Sequence, residues 1–266
     1  MKRPARYVAL LALVALALTA HTRLARADTV LITGANSGIG LEFAKEYAAR
    51  GWTVIATHRH DTTPATLAVL AGRYRKVRVE RMDVTDASQI QALARKLGNV
   101  PIDVLINNAG VYNDRGNWRT QDFGRLDFAL MDTIMAVNVK GPLMVTEAFI
   151  ANVRASREKK IINISSTNGS LTRPLPGDGA IFYRASKAAL NREMQLVARA
   201  LKGDGVIVVL MHPGAVLTER QAYLRGKYPG MVEMPFTVHH MIDTIAGLTL
   251  KDTGRFMLYD GSTVPW

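Results

Sequence analysis

The stretch Thr29-Val30-Leu31-Ile32-Thr33-Gly34-Ala35-Asn36-Ser37-Gly38-Ile39-Gly40 decides the fold. Thr29 to Thr33 is short, β-branched or aliphatic throughout and apolar on both faces, the pattern of a strand buried inside a parallel sheet. A glycine-rich turn follows at once and opens a helical pattern. Gly34 can take a backbone angle that other residues avoid, Gly38 lets the main chain approach a pyrophosphate, and Gly40 lets helix pack on strand. The N-terminus of such a helix presents unpaired N–H groups and the positive end of its dipole, so strand, turn and helix together predict a dinucleotide-binding site.

Outward from that unit, short β-branched runs recur at Thr53 to Thr57, Val77 to Val79, Ile102 to Ile106, Ile161 to Ile164 and Val206 to Leu210. Helical spacing lies between them, near 38–50, 86–97, 126–155, 181–202 and 238–250. The alternation predicts a doubly wound α/β fold of the Rossmann type, one domain over residues 28–266, with a parallel sheet covered by helices on both faces. The irregular stretches are 111–125, 167–180 and 218–236, and loops at the carboxyl ends of parallel strands are where ligands bind.

Before Thr29 the sequence has a different character. Met1 to Arg6 is basic, Tyr7 to Ala20 is apolar over 14 residues, and a polar stretch ends in Ala25-Arg26-Ala27. That is the layout of a signal peptide cleaved after Ala27. Retained, it would anchor the chain in an inner membrane, although a bilayer span takes about 20 apolar residues. The expected location is therefore exported, periplasmic or membrane-anchored, with the cytoplasm as the alternative. The net charge is +12, and the five basic residues of this leader leave +7 for the rest. Those remaining cations are scattered, no nucleic-acid module is visible, and a solvated basic surface or a phosphate-bearing ligand suits them better than a nucleic acid. With no cysteine in 266 residues, thiolate metal sites, disulfides and a cysteine nucleophile are excluded.

Further motifs follow in order: Asp83-Val84, Asn107-Asn108-Ala109-Gly110, Asn138, Asn163-Ile164-Ser165-Ser166, Tyr183-Arg-Ala-Ser-Lys187 and His212-Pro213-Gly214-Ala215-Val216-Leu217-Thr218. With the Thr33-Gly34-x-x-x-Gly38-x-Gly40 spacing, they resemble the classical short-chain dehydrogenase/reductase family from Thr29 to Trp266. Phe123 to Asp127, the Tyr183 helix start and the ending Tyr259 to Trp266 look closest to the branch of C-factor and the sniffer carbonyl reductases. The resemblance implies a cofactor site of Thr33, Gly34, Asn36, Ser37, Gly38, Ile39, Gly40, Asp83, Val84, Asn108, Ala109, Gly110, Tyr183, Lys187, Pro213, Gly214, Val216 and Thr218. It implies catalysis by Asn138, Ser166, Tyr183 and Lys187, without a metal.

Tyr183 and Lys187 stand four apart and share a helix face, so the ammonium can lie near the phenol and lower its pKa from about 10. Tyr223 and Lys227 have the same spacing, but only the first pair follows a strand ending in paired serines. Strict counting back from the tyrosine selects Ser170, whereas the Asn-x-Ser-Ser strand end selects Ser166; Ser165 would then hold nearby backbone. NAD-preferring relatives place an acidic residue at the end of the second strand. Here Ala56-Thr57-His58-Arg59-His60 has none before Asp61, and Arg59 could pair with a 2'-phosphate, which favours NADPH over NADH.

The implied reaction interconverts a carbonyl and an alcohol. Tyr223, Leu224, Tyr228, Met231, Val232, Met234 and Phe236 would line a lid over an apolar aldehyde or ketone. His212 reads as a packing histidine. The alternative function is a dinucleotide-binding signalling or structural protein that needs no turnover. The helices near 126–155 and 181–202 imply a homodimer or tetramer.

Overall fold

A computed structural model describes residues 28–112, 118–174, 177–218, 226 and 230–266. β1 (Thr29–Ile32) is buried along its whole length and runs into α1 (Gly38–Ala49), which lays Phe43, Ala44 and Tyr47 on the sheet. β2 (Thr53–His58), α2 (Ala65–Arg73) and β3 (Val77–Arg81) follow. Next come α3 (Ala87–Leu97), whose start Asp86 caps by accepting from Ser88 and Gln89 N–H, and β4 (Val104–Asn107). α4 (Phe128–Met135) and α5 (Gly141–Arg154) are joined by a wide π turn, Ala136–Lys140. The second half adds β5 (Lys160–Ile164), α6 (Ile181–Leu201), β6 (Ile207–His212), β7 (Ala215–Leu217), β8 (Met231–Glu233), α7 (Met234–Gly247) and β9 (Phe256–Leu258).

Seven strands form one sheet in the order β3-β2-β1-β4-β5-β6-β9, every neighbouring pair parallel. Alternate side chains feed two cores. Val30 and Ile32 face α1, α2 and α7, while Leu31, Leu105 and Ile161 face α3, α5 and α6. The strand order reverses between β1 and β4, and a crevice opens there at the carboxyl edge. The expected Rossmann-type α/β fold is what forms.

Five elements depart from the sequence reading. The seventh strand, β9, has three residues, too few for a period to register. α2 buries only Leu67 and Leu70, which leaves little amphipathic pattern to read. The expected helix 126–155 forms as one run, Phe128–Arg154, but widens into the π turn Ala136–Lys140, where Pro142 supplies no N–H to the preceding turn and a Cβ on Gly141 would sit 3.1 Å from the Val84 carbonyl oxygen. The last helix starts at Met234, not near 238, with a proline in its first turn where the missing N–H costs nothing. β8 also lies inside the stretch read as irregular; it pairs in parallel with β7.

Candidate active site

The glycine turn is pinned from the neighbouring strand. Thr33 Oγ1 accepts from the N–H groups of Asn108 and Ala109, both at 3.0 Å, and Asn108 Nδ2 donates to Thr33 O at 2.8 Å and Gly34 O at 3.2 Å. The Asn108 side chain is thus committed to the turn. Gly34 has φ +64 and a Cβ there would lie 3.0 Å from Ala109 Cα; a Cβ at Gly40 would collide with Asn108 Nδ2 and Gly34 O. Both glycines are needed for close approach of backbone. Ser37 stands at the N-cap of α1 without a side-chain cap hydrogen bond, so first-turn N–H groups point to the crevice uncapped. Asn36 O accepts from Thr66 Oγ1 at 2.8 Å, tying the turn to α2, and Ile39 packs on the core.

Two motifs far apart in sequence meet at this turn. The nearest atom to a Cβ on Gly38 would be Thr218 Cγ2, at 4.0 Å. Gly214 has φ +87 and packs against Val232 and Tyr259, Val216 is buried, and Pro213 O accepts from Thr237 Oγ1. On the other side of β1, Arg59 is exposed at the end of β2. Beside it Thr57 Oγ1 and His58 Nδ1 are buried without a hydrogen-bond partner. Burial, then His60 and Arg81, hold the His58 imidazole below its usual range. Asp83 Oδ1 accepts from Thr85 N and Oγ1 at 2.9 and 2.8 Å, closing the turn after β3, and Val84 is buried against Gly141.

β5 and α6 carry the reactive groups. Ser166 Oγ accepts from Asn168 N at 3.2 Å and stands beside the Tyr183 phenol, where it favours the phenolate, whereas Ser170 Oγ accepts from Arg173 N at 3.2 Å and Ser165 Oγ donates to Asn191 Oδ1 at 2.6 Å. Lys187 Nζ, nearly fully buried, donates to Ile164 O at 2.9 Å and lies 5.7 Å from the Tyr183 ring centre. Burial pushes the Tyr183 phenol up to about 12, opposed by Ser166 and assisted by Tyr112. The expectation that Lys187 lowers the tyrosine pKa is therefore corrected, since desolvation dominates and the ammonium is aimed at a backbone carbonyl. Burial also brings Lys187 itself down to about 8. His212 Nε2 lies 3.4 Å from Thr167 Oγ1, and burial, then Arg173 and Lys187, take it down to about 4, so it is neutral at physiological pH.

Asn138 sits in the π turn and clamps the loop after β4: Nδ2 donates to Val111 O and Oδ1 accepts from Val111 N, both at 2.8 Å. Its other N–H reaches Ser186 Oγ at 3.1 Å, and a Cβ on Gly110 would lie 3.4 Å from Asn138 Oδ1 and 4.0 Å from Lys187 Nζ. Asn138, Ser166, Tyr183 and Lys187 thus converge at one end of the crevice. Arg59 marks the other, three strands away, about 14 Å by strand spacing.

Two participants carry no motif. Gln121, fully buried, accepts from Tyr183 N at 2.9 Å through Oε1 and donates to Tyr112 O at 2.6 Å. α6 needs that acceptor because its N-cap is Ala180, at φ +58, with no side chain to cap it. The Tyr112 ring packs 4.3 Å from that of Tyr183. Of the expected lid, Tyr223, Leu224 and Tyr228 lie outside the described residues, as does Lys227. Met231 and Val232 are half-buried in β8, and Phe236 packs on His240 and Tyr259.

Comparison with known proteins agrees with this geometry. A family profile described as short chain dehydrogenase matches residues 28–229. C-signal of Myxococcus xanthus is 37% identical over 177 residues, covering 66% of this chain and all of that protein. The NADPH-bound carbonyl reductase from chicken fatty liver superposes with a TM-score of 0.81 at 30% identity, covering 91% of this chain and 100% of that one. A short-chain dehydrogenase/reductase from Burkholderia multivorans with bound NADP does so with 0.76 at 30% identity, over 90% and 100%. With the crossover crevice and the Ser166–Tyr183–Lys187 cluster, these matches establish that the chain belongs to the short-chain dehydrogenase/reductase family of oxidoreductases, near its C-signal and carbonyl reductase members.

Proposed function

We propose that this oxidoreductase prefers NADPH and reduces an apolar aldehyde or ketone, with Tyr183 as the general acid. The observation that carries the reading is the buried Lys187 ammonium 5.7 Å from the Tyr183 ring, with Ser166 beside the phenol, at the end of a crevice that faces uncapped helix N–H groups. The residues present fit a dinucleotide: the α1 N-terminus and the glycine turn would hold the pyrophosphate, Asp83 and Val84 the adenine side, and Pro213 to Thr218 the carboxamide end. Bound there, the cofactor supplies the hydride. Arg59, exposed where no carboxylate stands before Asp61, suits a 2'-phosphate through its planar guanidinium.

The chain's own groups handle the proton. With its pKa held up to about 12, Tyr183 is a protonated phenol at neutral pH, poised to give its proton to a developing alkoxide. The Ser166 hydroxyl hydrogen-bonds the same oxygen. Lys187, still charged below about 8, would orient the ribose of the bound cofactor. Asn138 braces Val111 and the first turn of α6 and would hold a water linking Lys187 to solvent. Residues 1–27 direct the chain to export, or hold it at the inner membrane, and α5 and α6 form the face of a homo-oligomer. The test is fluorescence titration with NADPH and NADH. Tighter NADPH binding that Arg59→Asp weakens supports the reading, and no binding of either cofactor overturns it.

The C-signal likeness favours a second reading, a dinucleotide-binding signalling protein. A Tyr183→Phe variant that loses turnover but keeps its cellular phenotype would select it.

A further inference from the structure

All seven strands are parallel, so each covering helix ends at the sheet's amino edge, opposite the crevice. That edge collects positive charge. Arg73, Arg75 and Lys76 surround the turn into β3, and Arg199, Lys202 and Lys251 surround the turns into β6 and β9. All six are exposed and, among the described residues, none has a carboxylate partner: Arg73 lies over the Tyr74 ring and Lys76 donates to Gly51 O. Most acids of this edge are matched, Asp28 by Arg157 at 2.8 Å, Glu158 by Lys160 at 2.8 Å, Asp204 by Arg154 at 2.6 Å and Asp252 by Arg255 at 2.6 Å, while Asp103 is buried against backbone N–H groups. A helix C-terminus attracts cations, which accounts for Arg73 and Arg199. It accounts for Lys202 as well, the C-cap of α6, but not for Arg75 and Lys76, which lie beyond the end of α2, or for Lys251, in the single turn Leu250–Asp252 before β9.

The chain comes into the fold at the same edge. Asp28 O accepts from Thr53 N at 2.9 Å, and the polar stretch His21 to Ala27 is all that separates it from the apolar run Tyr7 to Ala20. Seven residues reach at most about 25 Å. An apolar run seated in a bilayer would therefore hold the cationic edge over the lipid headgroups and leave the crevice facing away. Resting on the reading in which residues 1–27 are retained and hold the chain at the membrane, we propose that the amino edge of the sheet is a docking surface for an anionic membrane, with residues 1–27 as its tether. Charge complementarity and the point where the chain leaves the fold both select that occupant.

Each juxtamembrane cation strengthens binding to anionic lipid roughly fivefold. The full-length chain and its triple variant Arg75→Gln, Lys202→Gln, Lys251→Gln would be sedimented with phosphatidylcholine vesicles, with and without phosphatidylglycerol. These side chains make no hydrogen bond among the described residues, so the fold should be kept, and circular dichroism checks it. The expected result is tighter binding to the phosphatidylglycerol vesicles, weakened about a hundredfold in the triple variant, with phosphatidylcholine binding unchanged. Molar salt, which shortens the screening length to about 3 Å, should abolish the same increment. Undiminished binding by the triple variant, or an increment that survives molar salt, would overturn the proposal. Equal retention on duplex DNA with the same triple dependence would overturn it in favour of a nucleic acid.

Discussion

Lys187→Met should make the protein more stable while removing its activity. The Lys187 ammonium is nearly fully buried, and its one hydrogen bond goes to Ile164 O. Burial brings its pKa from the ordinary 10.5 to about 8. At roughly 1.4 kcal/mol per pH unit, that difference corresponds to about 3 kcal/mol of stability forgone at neutral pH to keep the charge inside. Methionine fills the same space uncharged but leaves Ile164 O unpaired, costing about 1–2 kcal/mol. The net gain is about 1–2 kcal/mol, or roughly 2–8 °C in Tm for a chain of this size. The sign has a pH signature. The folded-state pKa lies below the unfolded one, so the cost is complete below about pH 8 and disappears as pH rises towards 10.5. Urea unfolding of both proteins at neutral and alkaline pH is the assay, with the variant's advantage expected to shrink or reverse at high pH. A variant less stable than wild type at neutral pH, or a difference independent of pH, would refute the reasoning.

Ser166→Ala should lower kcat on the order of a hundredfold. Ser170→Ala should leave kcat within a few-fold and cost about 1 kcal/mol through the lost bond to Arg173 N. Steady-state kinetics and unfolding of the two variants separate these roles, and the opposite ranking would reject Ser166. Gln121→Ala removes the acceptor from Tyr183 N and the donor to Tyr112 O. A loss of about 2 kcal/mol and a fall in kcat of about tenfold or more are expected; an unchanged kcat would show that Tyr183 holds its place without the glutamine. Lys187 is charged below about 8 and neutral above it, while Tyr183 keeps its proton to about 12. Reductive kcat/KM should therefore fall as pH rises past about 8. A profile flat into the alkaline range would contradict the role given to Lys187.

Much of the architecture was legible locally. A strand apolar on both faces, a glycine turn and a helix are consecutive in sequence, so Thr29 to Gly40 declares the unit and its repetition declares the parallel sheet. Short elements escaped: β9 has three residues and α2 buries two side chains, so neither carries a period. The site motifs were legible as a resemblance, and residue spacing alone left Ser166 and Ser170 unresolved.

The sequence by itself determined the fold class, the glycine turn and the pairing of Tyr183 with Lys187 on one helix face, because each rests on neighbours within a few residues. Only the tertiary structure decided that Gln121 caps the Tyr183 helix from 62 positions away and that Thr218 comes up against Gly38. It also reversed the expected shift of the Tyr183 pKa. The cost of burying a charge is set by everything packed around it, and no spacing along the chain encodes that.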